Sequence, residues 1–384
     1  MVYKDRVIVV VGAGPAGLAS AAMLQRAGCR VVVLERGDVG AAWRTRYDRL
    51  HLHTVRWLSG LPGYPIPREF GKWPSRDRVV EYLQRYGERH GLEVRTHTAV
   101  ERIDGGAGGW TVTTSDGRLE ADRVVVATGH SNVPVLPEWA EGAGVPVVHS
   151  ADYRNPQPYA GRRVLVVGTG NSGAEIAVDL ADGGADEVLL AVRTPPSIVR
   201  RDTLGIPSQL LGIATARLPV PVVDRIAATL RRLSIPDLTP YGLPAPRRPY
   251  SEFLRRRVIP ILDVGIVAAV RQGRVRVVAA VDGLDGATAV LADGSRVEVD
   301  AVVAATGYRT GLEPLVGHLR VLDERGEPVV HGAAAHPHAP GLHFVGYDLT
   351  LGGLFRLIGA QARQLARAVA ATEAPTAVTA TAGA

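Results

Sequence analysis

One unit occurs twice in this chain, and the repeat dictates most of what the chain can fold into. The first copy opens with Val7-Ile8-Val9-Val10-Val11 and runs into Gly12-Ala13-Gly14-Pro15-Ala16-Gly17. The second opens with Val164-Leu165-Val166-Val167 and runs into Gly168-Thr169-Gly170-Asn171-Ser172-Gly173. In both, a GxGxxG turn separates a β-branched strand from a helix-forming stretch, which ends at Gly28 or at Gly183-Gly184. A second apolar strand follows, at 31–34 and at 188–192. Asp116-Gly117 and Asp293-Gly294 then mark hairpins between alternating segments. Each copy finishes on a buried strand, 124–127 leading to Thr128-Gly129 and 302–305 leading to Thr306-Gly307.

This order predicts an α/β chain with two doubly wound Rossmann-like dinucleotide-binding domains, the second inserted in the first. Residues 1–155 and 310–384 make up the first, discontinuous domain. Residues 156–309 make up the second, with a helical insertion near 205–260 that includes 222–233 and is placed to cap a pocket.

The two copies differ where a dinucleotide is discriminated. In the first, Gly12 permits the tight turn, Gly14 lets backbone approach a pyrophosphate, and Gly17 allows close helix–strand packing. Pro15 and Ala16 open the helix, whose free N–H groups favour phosphate. Glu35 ends the second strand, 18 residues after Gly17, followed by Arg36. A carboxylate there accepts ribose hydroxyls and repels a 2′-phosphate, so the site suits FAD or NAD. In the second copy Gly168, Gly170 and Gly173 repeat the turn, and Asn171 and Ser172 open the helix. The matching position carries Arg193, 20 residues after Gly173, which suits a 2′-phosphate and therefore NADPH. Arg200 and Arg201 are further candidates for that charge. Two dinucleotide sites in one chain imply hydride passing from nicotinamide to flavin.

Other chemistries are limited by composition. Cys29 is the only cysteine, so an intrachain disulfide, a CxxC redox pair and a cysteine-rich metal site are excluded, and no metal site is expected. The formal net charge of +6 is spread along the chain without interleaved aromatics, which speaks against nucleic acid as a partner. The apolar run 7–24 is broken by glycines and Pro15 and predicts strand, turn and helix, with no membrane anchor. Residues 373–384 read as a loose tail. The expectation is a cytoplasmic monomer or homodimer.

At this point the sequence resembles the class B flavin-dependent monooxygenases, and among them the YUCCA-type enzymes, over about residues 5–370. GAGPAGLA at 12–19 resembles the family's FAD motif and GTGNSGAE at 168–175 its NADPH motif. Ala127-Thr128-Gly129 and Ala305-Thr306-Gly307-Tyr308 resemble its two ATG linkers. Trp43-Arg44-Thr45-Arg46-Tyr47-Asp48-Arg49-Leu50-His51-Leu52-His53 is similar to the segment lying near the flavin ring, and 261–265 is similar to a further YUCCA-type pattern. His149 and Tyr153 fit the second half of the signature FxGxxxHxxxY, whereas Ala143 and Val145 stand at its Phe and Gly positions.

The resemblance implies that NADPH reduces FAD, that O2 adds at flavin C4a, and that the resulting (hydro)peroxyflavin passes one oxygen atom to a small organic substrate. His53 is then the candidate catalytic residue, donating a hydrogen bond near the flavin. The substrate implied is an aromatic 2-oxo acid such as indole-3-pyruvate, undergoing oxidative decarboxylation. The alternatives are N- or S-hydroxylation, Baeyer–Villiger oxidation, an FAD-dependent reductase serving a partner, and a non-catalytic sensor. Leu354, Phe355 and Leu357 are candidates for an apolar substrate wall.

Overall fold

The computed structural model describes residues 7–106, 109–203, 205–215, 218–246, 249, 251–252, 259–348, 350 and 352–373. The tail expected beyond residue 373 lies outside them. Two five-stranded parallel sheets dominate. In the first, the spatial order is Leu342–Phe344, Arg123–Val126, Val7–Val11, Arg30–Leu34, Glu93–Arg95. In the second it is Arg276–Ala279, Glu187–Val192, Arg163–Val167, Ala301–Ala304, Val147–His149.

The central strands Val7–Val11 and Arg163–Val167 are nearly continuous apolar runs because each sheet is covered on both faces. Ile8 and Val10 join one core cluster with the helix Pro15–Arg26, while Val9 and Val11 join another on the opposite face. Val164 and Val166 likewise face one cluster and Leu165 the other. The C-terminal helix Leu354–Glu373 packs on Pro15–Arg26 through Ile358, Ala362 and Leu365. The two Asp-Gly signals fall in three-stranded antiparallel sheets, at Val100–Ala121 and Val281–Glu298.

Each large sheet takes one edge strand from a distant part of the chain. Leu342–Phe344 returns to pair with Arg123–Val126. Val147–His149 pairs with Ala301–Ala304. That second strand lies within 1–155, so a boundary at 155 cuts through the second sheet. Three residues without a glycine turn carry too weak a periodic signal to reveal the partner. The insertion contains the helices Ser208–Thr215 and Val220–Ser234 and a short antiparallel pair, Asp202–Thr203 with Ile206–Pro207.

Candidate active site

The two glycine turns have the same geometry. Gly12 and Gly168 have φ of +105° and +113°, and a Cβ on either would lie 2.7 Å and 2.4 Å from the carbonyl oxygens of Ala127 and Ala305. A Cβ on Gly17 or Gly173 would lie 1.8 Å or 2.0 Å from the carbonyl oxygen of Gly12 or Gly168. At Gly14 and Gly170, by contrast, nothing lies within 4 Å of such an atom. Both are helix N-caps with no side-chain cap. Each helix therefore begins on an open cradle with uncapped N–H groups, a fit for a pyrophosphate at both places.

A cavity of about 1950 Å³ runs from the first turn toward the insertion. Gly12, Gly14, Pro15, Ala16, Glu35, Arg36, Trp43, His53, Thr128, Gly129, Asn171 and Ser172 all line it. Gly17, Gly168, Gly170, Gly173, Arg193, Thr306 and Gly307 stand outside its walls. The Glu35 carboxylate accepts from Ala13 N at 2.7 Å and Gly37 N at 3.0 Å, which fixes it beside the first turn. Arg193 is exposed just past the strand Glu187–Val192 and makes no ion pair among the described residues. Arg200 donates to Ser234 O at 2.8 Å, and Arg201 lies over the Trp73 ring at 4.5 Å on the cavity wall. Burial pulls the Arg201 guanidinium below its ordinary pKa.

Several residues that sequence reading did not single out hold this site together. Asn132 donates to the carbonyls of Thr128, Gly129 and Thr310. Arg46 bonds Tyr308 Oη and, at 3.1 Å, Ser131 O, so it ties the second ATG linker to the chain just past the first. Thr306 donates to Val135 O, and Thr128 shares a hydrogen bond of 2.8 Å with Tyr347. Gln209, on the first insertion helix, accepts from Val55 N at 3.0 Å and donates to Gly352 O at 2.9 Å. It fastens the insertion beside His53. Leu354 and Phe355 line the cavity, Phe355 edge-on to Trp43 with centroids 6.0 Å apart, whereas Leu357 does not line it.

The helix Asn171–Asp182 places Glu175, Asp179 and Asp182 on one face, at spacings of one and two turns. That face meets the segment after Trp43. Glu175 accepts from Tyr47 Oη at 3.0 Å and is 2.6 Å from His53 Nε2. Arg49 pairs with Asp182 at 2.6 Å and Asp179 at 3.6 Å. Burial, then Glu175, lift the Tyr47 hydroxyl well above its ordinary pKa. Tyr153 donates to Asp179 at 2.8 Å. His149 accepts from Ala151 N through Nδ1, so its Nε2–H donates to Gly307 O at 3.0 Å. The two fitting residues of the signature are thus both buried and hydrogen-bonded within the protein. The departure in its first half also has a visible setting: Gly144 N bonds Gly286 O at 3.1 Å, and a Cβ on Gly144 would sit 2.7 Å from the Gly286 backbone. The loop's glycine serves that close contact.

Residues 9–204 match the family described as pyridine nucleotide-disulphide oxidoreductase. An indole-3-pyruvate monooxygenase, YUCCA1 of Oryza sativa, is 36% identical over 79% of this chain and 77% of its own. A probable indole-3-pyruvate monooxygenase, YUCCA3 of Arabidopsis thaliana, is 32% identical over 90% of this chain and 83% of its own. A mutant flavin monooxygenase from Stenotrophomonas maltophilia superposes with a TM-score of 0.75 at 25% identity, covering 96% of this chain and 100% of that one. The chain belongs to the class B flavin monooxygenases. It is an oxidoreductase that uses FAD and NADPH to put oxygen from O2 into a small organic molecule. The disulphide chemistry in the matched family's description needs a cysteine pair, which a chain with Cys29 alone lacks. No helix among the described residues is long and apolar enough to cross a membrane.

Proposed function

We propose that the substrate is an aromatic 2-oxo acid of the indole-3-pyruvate type. The observation that carries this reading is similarity along most of the chain to proteins named for that substrate. The reaction balances as 2-oxo acid + O2 + NADPH + H⁺ giving the one-carbon-shorter acid, CO2, water and NADP⁺. FAD, when bound, supplies the redox centre that accepts hydride and reacts with O2. The protein binds, orients and shields. Glu35 holds the FAD ribose, the amides after Gly14 hold its pyrophosphate, and Arg36, Trp43, Thr128 and Gly129 complete that site. Gly170, Asn171 and Ser172 receive the NADPH pyrophosphate, and Arg193 pairs with its 2′-phosphate. Trp43 and Phe355 offer the substrate apolar surface. His53 presents a hydrogen-bonding ring to the cavity beside the flavin.

The unit holding FAD comprises residues before the strand Val147–His149 together with 310–373, and the NADPH unit lies between them. A monomer or homodimer in the cytoplasm completes the proposal, with light scattering as the check on assembly. The substrate test is NADPH-dependent turnover of indole-3-pyruvate beside an amine, a thioether and a cyclic ketone. One CO2 and one indole-3-acetate per NADPH is the expected result. Stoichiometric N-oxide, sulfoxide or lactone, with no decarboxylation, would overturn it.

A further inference from the structure

Glu175 is a carboxylate only 5% exposed, on a helix whose neighbouring residues Ala174 and Ile176 are buried and apolar. A buried carboxylate persists where donors satisfy it. Here both donors come from the other dinucleotide-binding unit: His53 is 122 residues away and Tyr47 is 128. His53 remains on the cavity wall with 28% of its side chain exposed. With Nε2 committed to Glu175, only Nδ1 and the ring edge are left to face bound molecules. The same helix begins at the open cradle of Gly170, one turn before Glu175. The ring that meets the cavity and the helix that meets the second dinucleotide are therefore joined through one side chain.

We propose that Glu175 is a positioning residue: it fixes the orientation of His53 and makes that orientation depend on how the NADPH unit is seated against the flavin segment. This rests on the monooxygenase assignment and on His53 acting beside the flavin. Its consequence is coupling. With the ring held, reducing equivalents are kept for substrate. With the ring loose, they escape as NADPH + H⁺ + O2 giving NADP⁺ and H2O2.

The test uses FAD-loaded enzyme with NADPH and O2 and no organic substrate. Hydrogen peroxide release is divided by the anaerobic rate of flavin reduction, which removes any change in NADPH binding. Glu175→Gln and His53→Ala should each raise that ratio about 10- to 100-fold, the range seen when the hydrogen-bond partner of a metal-bound imidazole is removed. The Glu175→Gln/His53→Ala double variant should do no more than His53→Ala. Glu175→Asp, which keeps the charge on a shorter arm, should recover part of the loss. A second readout is independent of turnover: NADP⁺ titrated into oxidised enzyme perturbs the flavin visible band, and Glu175→Gln and His53→Ala should change that difference spectrum in the same way. Should Glu175→Gln lose FAD, Tyr47→Phe isolates the second hydrogen bond and should leave the ratio nearer wild type than His53→Ala does. Independent, multiplying effects of the two substitutions, or a wild-type ratio in Glu175→Gln, would overturn the proposal. Failure of the monooxygenase reading looks different: wild-type enzyme would itself turn all its NADPH into peroxide with every substrate offered.

Discussion

Gly14 and Gly17 are three residues apart in one turn, yet substitution should harm them in opposite ways. A Cβ on Gly14 meets nothing within 4 Å, and its φ of −82° and ψ of −174° are open to any residue. Gly14→Val should therefore lower the stability of the flavin-free protein by only about 1 kcal/mol, the cost of a poor N-cap. It should nevertheless fill the cradle that a pyrophosphate needs. Keeping the phosphates from two charge-assisted hydrogen bonds, at about 1.5–3 kcal/mol each, costs roughly 3–6 kcal/mol. That weakens FAD binding by roughly 150- to 20,000-fold. Gly17→Ala is the converse. Its Cβ would lie 1.8 Å from Gly12 O, so the turn must move, and the flavin-free protein should lose about 1–3 kcal/mol or more. Calorimetric melting of both apoproteins and flavin titration followed by fluorescence quenching separate the two effects. A Gly14→Val protein that purifies yellow with one flavin per chain would refute the reasoning. So would an apoprotein melting as low as Gly17→Ala.

Three further outcomes are expected. Arg193→Ala should raise the KM for NADPH about 10- to 100-fold, consistent with loss of one charge-assisted contact, while KM for NADH changes little; equal losses for both would remove the 2′-phosphate argument. Burial pushes the His343 imidazole down from 6.5 to about 4, so the unfolded chain takes up a proton before the folded one does. Stability should then fall as pH drops from 6.5 toward 4, by up to about 3 kcal/mol, and His343→Leu should flatten that part of a Tm-versus-pH curve. Gln209→Ala removes both ties between the insertion and the His53–Gly352 region and should cost about 1–3 kcal/mol; limited proteolysis should then cut near Ser208–Thr215 faster than in wild type.

What the sequence disclosed was local. A GxGxxG turn is six residues long, and its steric demands are met within itself and one neighbouring strand end, so Gly12, Gly14 and Gly17 announce their roles directly. The positions of Glu35 and Arg193 just past the second strands, 18 and 20 residues after the third glycine, are equally local. Residues that work by meeting across the fold stayed silent. Glu175 looked like the last letter of a nucleotide motif, and nothing in its neighbourhood hints at His53, 122 positions earlier. Arg46 and Asn132 bind linkers whose proximity exists only once both sheets are built. His149 and Tyr153 matched a signature by spacing, and only the folded chain shows that they bond Gly307 O and Asp179.

The strand Val147–His149 also bears on how the chain can be divided. A fragment beginning at residue 156 would leave the far side of Ala301–Ala304 without its partner. Buried and apolar, that strand would present open N–H and C=O groups to any chain it met. Residues 156–309 thus contain the whole second glycine turn but not the whole second sheet. The solubility of a fragment cut at 156 therefore depends on a short stretch of chain made before that cut.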